Sequence, residues 1–72
     1  MSICFYTITP EPEQNPVAYI FRLFVDKNGY SKLINTRAFP VTNPQNPKAT
    51  EETASLYGEL CVTDFMNQEE NA

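Results

Sequence analysis

The chain contains no histidine, and this absence removes the commonest catalytic base of enzymes. Without histidine, neither a Ser–His–Asp nor a Cys–His catalytic group can be assembled from these residues. Adjacent carboxylates such as Glu51 and Glu52 point apart on a helix and lie in segments predicted to be solvated, so they form no acid–base pair. We therefore predict that the protein is not an enzyme and that it has no catalytic residues.

Glycine and cysteine are scarce, with two residues of each in the sequence. Gly29 and Gly58 are too few for a glycine-rich phosphate loop. Cys4 and Cys61 are too few for a structural zinc site, which needs four ligands. We therefore expect neither a metal nor a cofactor.

The first residues have no basic start, and their apolar run is short, so the sequence predicts neither a secretory signal nor a membrane span. These features favour a cytoplasmic protein with no membrane association. In a reducing compartment Cys4 and Cys61 would remain free thiols and pack as small apolar side chains. A disulfide between them is the less favoured alternative.

Positive charge is scarce in the second half of the chain. Residues 1–40 carry four basic and three acidic side chains, whereas residues 41–72 carry one basic and six acidic ones. The acidic half repels phosphate groups, so the sequence disfavours nucleic-acid binding and favours a protein partner with a basic surface. The alternative is that the acidity serves solubility alone.

The chain is organised around a predicted central hairpin, residues 17–39, in which two β-forming runs flank a short loop that ends at Gly29. A type I turn closed by Gly29 would place Asp26 opposite Tyr30. This register predicts a core face of Val17, Tyr19, Phe21, Leu23, Val25, Leu33 and Phe39, with Asn35 and Arg37 near its edge.

The other face of the predicted hairpin is unusually apolar for a solvated sheet. It carries Ala18, Ile20, Arg22 and Phe24 against Lys32, Ile34, Thr36 and Ala38. In one interpretation the alkyl stems of Arg22 and Lys32 cover the apolar side chains. In the other, a second subunit or a partner covers them, which the small core of so short a chain also favours.

The flanking segments complete the predicted fold. Residues 2–9 read as a first strand, and two proline-containing segments, 10–16 and 40–47, read as surface connections. A helix is predicted over about 50–66, starting at Asn46-Pro47 or at Thr50, with a stripe of Ala54, Tyr57, Cys61 and Phe65 that Leu56 and Leu60 widen. Gly58 counts against this helix, and a fourth strand over 60–66 is the alternative.

These observations predict one small α+β domain over residues 1–72, with a three-stranded antiparallel sheet, one C-terminal helix and a frayed acidic tail from about 67. We expect a non-enzymatic protein–protein interaction module. It would be a small acidic inhibitor or adaptor that binds a basic protein surface and forms a homodimer through its sheet. The predicted partner-binding residues are Ile20, Arg22, Phe24, Lys32, Ile34, Glu51, Glu52 and Glu59.

Two alternative functions are compatible with the same residues. Small acidic proteins, including counter-defence proteins of phages, can act as nucleic-acid mimics that occupy a site on another protein. The second alternative is a sheet that binds single-stranded nucleic acid through Arg22, Phe24, Lys32 and Arg37.

Overall fold

The computed structural model describes residues 2–70 and has an α+β architecture. Three strands, β1 (Ser2–Glu11), β2 (Ala18–Lys27) and β3 (Tyr30–Pro40), are followed by one helix, α1 (Pro47–Glu70). The strands form an antiparallel sheet in the order β1-β2-β3, and the helix packs on one face of the sheet. The predicted fold class is confirmed, and residues 60–66 belong to the helix rather than to a fourth strand.

The turn between β2 and β3 has two residues, Asn28 and Gly29, with φ angles of 57° and 85°. Lys27 therefore pairs with Tyr30, as in a type I′ turn, whose twist matches that of the strands. The predicted three-residue loop with Asp26 opposite Tyr30 is wrong. Asn28 also takes the left-handed conformation, which asparagine tolerates better than most residues.

A β-bulge interrupts the pairing of β2 with β3. Phe24 pairs with Leu33 but Leu23 pairs with Asn35, so Ile34 is an extra residue of β3. Between the turn and the bulge, the register differs by one residue from the predicted one. As a result Leu33, predicted on the core face, lies beside Phe24 on the opposite face, and Lys32 lies opposite Val25 rather than beside Phe24.

Beyond the bulge, the observed register differs from the predicted one by two residues. A shift of two residues leaves each side chain on its predicted face. Tyr19 pairs with Phe39, and Phe21 pairs with Arg37, on the face that the helix covers. Val17 is the exception among the predicted core residues of this region. It precedes β2 and is 68% exposed.

The core lies between this face of the sheet and the helix. Phe21 is fully buried, with the ring of Tyr57 5.1 Å away and that of Phe39 6.5 Å away, both edge-on. Cys4 of β1 and Leu23 of β2 belong to the same buried cluster as Phe21. The predicted position of the helix on the face that carries Tyr19, Phe21 and Leu23 is therefore correct.

The helix begins at Pro47, where the Asn46-Pro47 prediction placed it, and the carbonyl of Asn46 accepts a hydrogen bond from the Ala49 amide. Thr50 is buried inside the helix and does not cap it. The helix runs to Glu70, four residues past the predicted end at 66. Residues 71 and 72 of the predicted frayed tail lie outside the described residues.

The exposed side of the helix differs from the prediction. Leu56 and Leu60, expected to widen the buried stripe, are both about two-thirds exposed. The residues that pack on the sheet are Ala54, Tyr57, Gly58, Cys61, Val62 and Phe65. The face of the helix that turns away from the sheet thus combines leucines with glutamates.

Candidate interaction surfaces

The first surface is the outer face of the sheet, opposite the helix. The pairing of the strands aligns Phe5, Phe24 and Leu33 in one row across all three strands. The rings of Phe5 and Phe24 are stacked, with centroids 5.2 Å apart and planes at 16°. Because Leu33 is 49% exposed and Phe5 37%, this central row presents an apolar surface to solvent.

On each side of the central row lies a row with one charged side chain at its centre. Arg22 stands between Thr7 and Thr36 in one of them, and Asp26 stands between Ile3 and Ser31 in the other. Arg22 and Asp26 are each two residues from Phe24 along β2, so the cation and the anion flank the apolar row symmetrically. The guanidinium Nη1 of Arg22 donates to the hydroxyl of Thr9 at 3.5 Å, a long and therefore weak hydrogen bond.

The predicted residues of this surface are only partly brought together. Ile20, Arg22 and Phe24 lie on the outer face, but Lys32 lies on the helix side of the sheet. Ile34 occupies the bulge, where it is 45% exposed and lines a shallow depression of about 340 Å³ at β3. The interpretation in which the stem of Lys32 covers the outer apolar side chains is therefore wrong.

The sequence-based set also lacks three apolar members of the outer face, Ile3, Phe5 and Leu33. Alternation along β1 places Ile3 and Phe5 on one face of the strand and Cys4 and Tyr6 on the other. It did not reveal which of the two sets would share a face with Phe24. That assignment depends on the pairing of β1 with β2, which has no local sequence signal.

The second surface is the acidic side of the helix. Glu51, Glu52 and Glu59 line an open depression of about 340 Å³ together with Ser55 and Leu56. Leu56 is 67% exposed, so an apolar side chain stands among the three carboxylates. The prediction grouped these glutamates by charge alone, and the helix brings them to one side of the molecule.

One carboxylate of the acidic surface is attached to the sheet. The hydroxyl of Tyr6, on β1, donates a hydrogen bond to Oε1 of Glu59 at 3.1 Å. This contact crosses from the first strand to the middle of the helix. It restricts the position of Glu59, whereas Glu51 and Glu52 extend into solvent as exposed residues.

Arg37 is held on the helix side of the sheet. Its guanidinium carbon lies 4.9 Å from the ring centroid of Phe39 and 4.9 Å from that of Tyr57, which is cation–π geometry. Arg37 and Lys32 thus lie on a different face from Arg22 and Phe24. The four residues of the single-strand-binding alternative do not form one surface.

The thiols lie in the core rather than on either surface. Cys4 and Cys61 are both free, and Cys4 is buried. Burial raises the pKa of the Cys4 thiol above its ordinary value, and electrostatic repulsion between the Cys4 thiolate and the nearby Cys61 and Glu69 raises it further. Cys4 is therefore a protonated, packed side chain and a poor nucleophile at neutral pH.

The side chains that the structure describes within residues 2–70 include no group of three or more His, Cys, Asp and Glu arranged to hold a metal ion. The one helix in this range lacks the long apolar stretch needed to cross a bilayer. Comparisons with protein-family models, with curated proteins and with solved structures gave no match to this chain.

Proposed function

We propose that this chain is a non-enzymatic, cytoplasmic protein-binding module whose acidic helix surface binds a basic surface of a partner protein. The observation that carries the proposal is the exposed Leu56 among Glu51, Glu52 and Glu59. The free thiols of Cys4 and Cys61 support the location, since cysteines remain reduced in the cytoplasm. The outer face of the sheet is the second binding surface, assigned to self-association.

The acidic helix surface combines the two features that a partner site needs. Carboxylates that surround an apolar side chain attract a basic surface over distance and accelerate association. The central apolar side chain then provides the contact that excludes water and slows dissociation. A helix face that served solubility alone would have no need for Leu56 and Leu60 at exposed positions.

The module would act as an inhibitor or as an adaptor, depending on what the partner does with its basic surface. If that surface is a nucleic-acid site, the carboxylates of the helix occupy the place of phosphates and the chain competes with nucleic acid. The net charge of −5 over residues 41–72 supports this variant.

The test begins with affinity capture of the partner from the native host, followed by binding measurements with the purified partner at low and moderate salt. The triple variant E51K/E52K/E59K should bind at least about tenfold more weakly and associate more slowly. A matched control, E11K/E13K/D64K, changes the net charge equally but leaves the depression intact, so its affinity should fall much less.

A second variant separates the apolar contribution from the charges. Leu56→Ala should increase the dissociation rate of the complex with little effect on the association rate, because its side chain acts only after contact. Binding that does not depend on salt, or equal losses in the triple variant and its control, would remove the acidic helix surface from the function. Circular dichroism of each variant establishes that it is folded.

A further inference from the structure

Two charged side chains of the outer sheet face are placed symmetrically about its central apolar row. Its central row, Phe5–Phe24–Leu33, is apolar, and the two neighbouring rows carry one charge each, Arg22 on one side and Asp26 on the other. Such a surface is complementary to a copy of itself turned by half a revolution, which is the requirement for an isologous two-fold interface.

Two copies can pack with their outer sheet faces together, related by a two-fold axis. The axis lies between the two sheets and runs along the central row, across the strands. This axis reverses the strand direction of the second copy and places its central row on that of the first. Arg22 then faces Asp26 of the second copy, and Asp26 faces Arg22 of the second copy. Both charges obtain an opposite charge, while the stacked phenylalanine rings leave water.

Other positions of the axis lose this complementarity. An axis through the row of Arg22 would cover more of the sheet, but it would place two guanidinium groups against each other and Asp26 against Ala18 of the second copy. Like charges brought together in an interface oppose association. The pattern of charge therefore selects the axis at Phe24.

We propose that the outer sheet face binds a second copy of this chain, with the two-fold axis along Phe5–Phe24–Leu33 and with two reciprocal Arg22–Asp26 ion pairs. The proposal deepens the self-association part of the proposed function and is independent of the acidic helix surface, which lies on the other side of the sheet. The long hydrogen bond from Arg22 to Thr9 is weak enough to be exchanged for the ion pair.

The contact area sets the expected strength of the dimer. Centred on Phe24, the overlap spans about seven residues of each strand, or about 23 Å, across three strands that together are about 14 Å wide. This flat footprint of about 320 Å² per copy does not count the extra area of protruding side chains. It is below the roughly 800 Å² that each partner buries in a standard interface. We therefore expect a reversible dimer that dissociates on dilution.

A charge-swap experiment tests the interface by sedimentation over a wide range of protein concentrations. Arg22→Asp leaves two anions on the face, and Asp26→Arg leaves two cations. Each variant alone should dimerise at least about tenfold more weakly than the parent. An equimolar mixture of the two should recover the parent's affinity, because both ion pairs re-form between unlike chains. Recovery also shows that both variants are folded.

Matched controls separate this interface from others. Lys32→Asp reverses a charge on the helix side of the sheet and should leave the dimer unchanged. Phe24→Asp should abolish dimerisation. The triple variant E51K/E52K/E59K should dimerise like the parent, so failure of the partner-binding proposal and failure of the dimer proposal are distinguishable.

Three results would overturn the inference. The first is a parent protein that remains monomeric at every concentration. The second is a mixture of the two charge variants that associates no better than either variant alone. The third is stronger dimerisation of Arg22→Ala, because removal of the cation is favourable only when the axis passes through the row of Arg22.

Discussion

The ring of Tyr6 lies directly against the backbone of Gly58. A Cβ atom added at Gly58 would lie 2.7 Å from two carbon atoms of that ring, closer than real side chains approach. The absence of a side chain at this position therefore lets the helix approach the first strand. A glycine inside a helix costs about 1 kcal/mol of intrinsic stability, and the close packing on Tyr6 is the feature that offsets it here.

Gly58→Ala should destabilise the fold by about 1–3 kcal/mol, although alanine is the better helix former. The added methyl group has to displace the Tyr6 ring or the helix. Urea denaturation of the two proteins measures the difference. In a Tyr6→Ala background the clash is gone, and the same substitution should become stabilising. If Gly58→Ala increased the stability with Tyr6 present, the Tyr6 ring would not be what excludes a side chain at position 58.

Phe21→Ala should cost about 3–5 kcal/mol, because Phe21 is fully buried and contacts rings from three elements. This loss is comparable with the whole stability expected of so small a domain, so the variant should be largely unfolded at room temperature. Phe24→Ala, on the outer face, is the matched control and should leave the monomer folded. Circular dichroism at low protein concentration compares the two.

Gly29→Ala should destabilise the hairpin by about 1 kcal/mol, since residue 29 has a φ angle of 85° that alanine rarely adopts. Beyond residues 28–30 no heavy atom lies within 4 Å of the added methyl group, so the effect is one of local backbone conformation. Asn28→Gly is the control and should be close to neutral, because glycine also accepts the φ angle of 57° at that position. Equal losses in both variants would contradict the two-residue turn.

The Cys4 thiol should make stability depend on pH in the alkaline range. Its pKa is raised in the folded protein, first by burial and then by Cys61 and Glu69. Below the unfolded pKa of about 8.5 this thiol is protonated in both states and its full contribution is present. As the pH rises toward the folded pKa, the unfolded state ionises first and stability is lost.

Denaturation of the parent and of Cys4→Ala at neutral and alkaline pH tests this dependence. The variant should lose less stability than the parent between the two pH values. Both proteins have the same tyrosines and lysines, so the contributions of these residues cancel in the comparison. Alkylation of Cys4 in the folded parent should also be slower than that of Cys61, which is only partly buried. Identical pH profiles would exclude the thiol as the source.

The sequence by itself determined the order and type of the elements. β-branched and aromatic runs around Gly29 define the hairpin, and Asn46-Pro47 marks the start of the helix. Tyr19, Phe21 and Leu23 alternate along β2 and so share a face, whatever the partner strand. These features follow from local conformational preference and from the periods of strand and helix, which are properties of neighbouring residues.

The rotation of the helix was decided only by the tertiary structure. The sequence suggested a stripe widened by the large residues Leu56 and Leu60. The structure confirms Ala54 on the buried side and turns Gly58 and Val62, rather than the two leucines, toward the sheet, because the smaller residues allow the closest approach. The leucines are left beside the glutamates, and the acidic surface acquires its apolar centre.

The outer surface was likewise decided by contacts between distant residues. A left-handed Asn28 and the extra residue Ile34 shift the hairpin register, which moves Leu33 to the outer face and Lys32 away from it. The pairing of β1 with β2 then brings Phe5 beside Phe24. A register shift of one residue reverses every side chain of a strand. The Asn28-Gly29 turn is a local preference for one register at the loop, but the bulge at Ile34 and the pairing of β1 are selected only by the packing of the whole sheet against its helix.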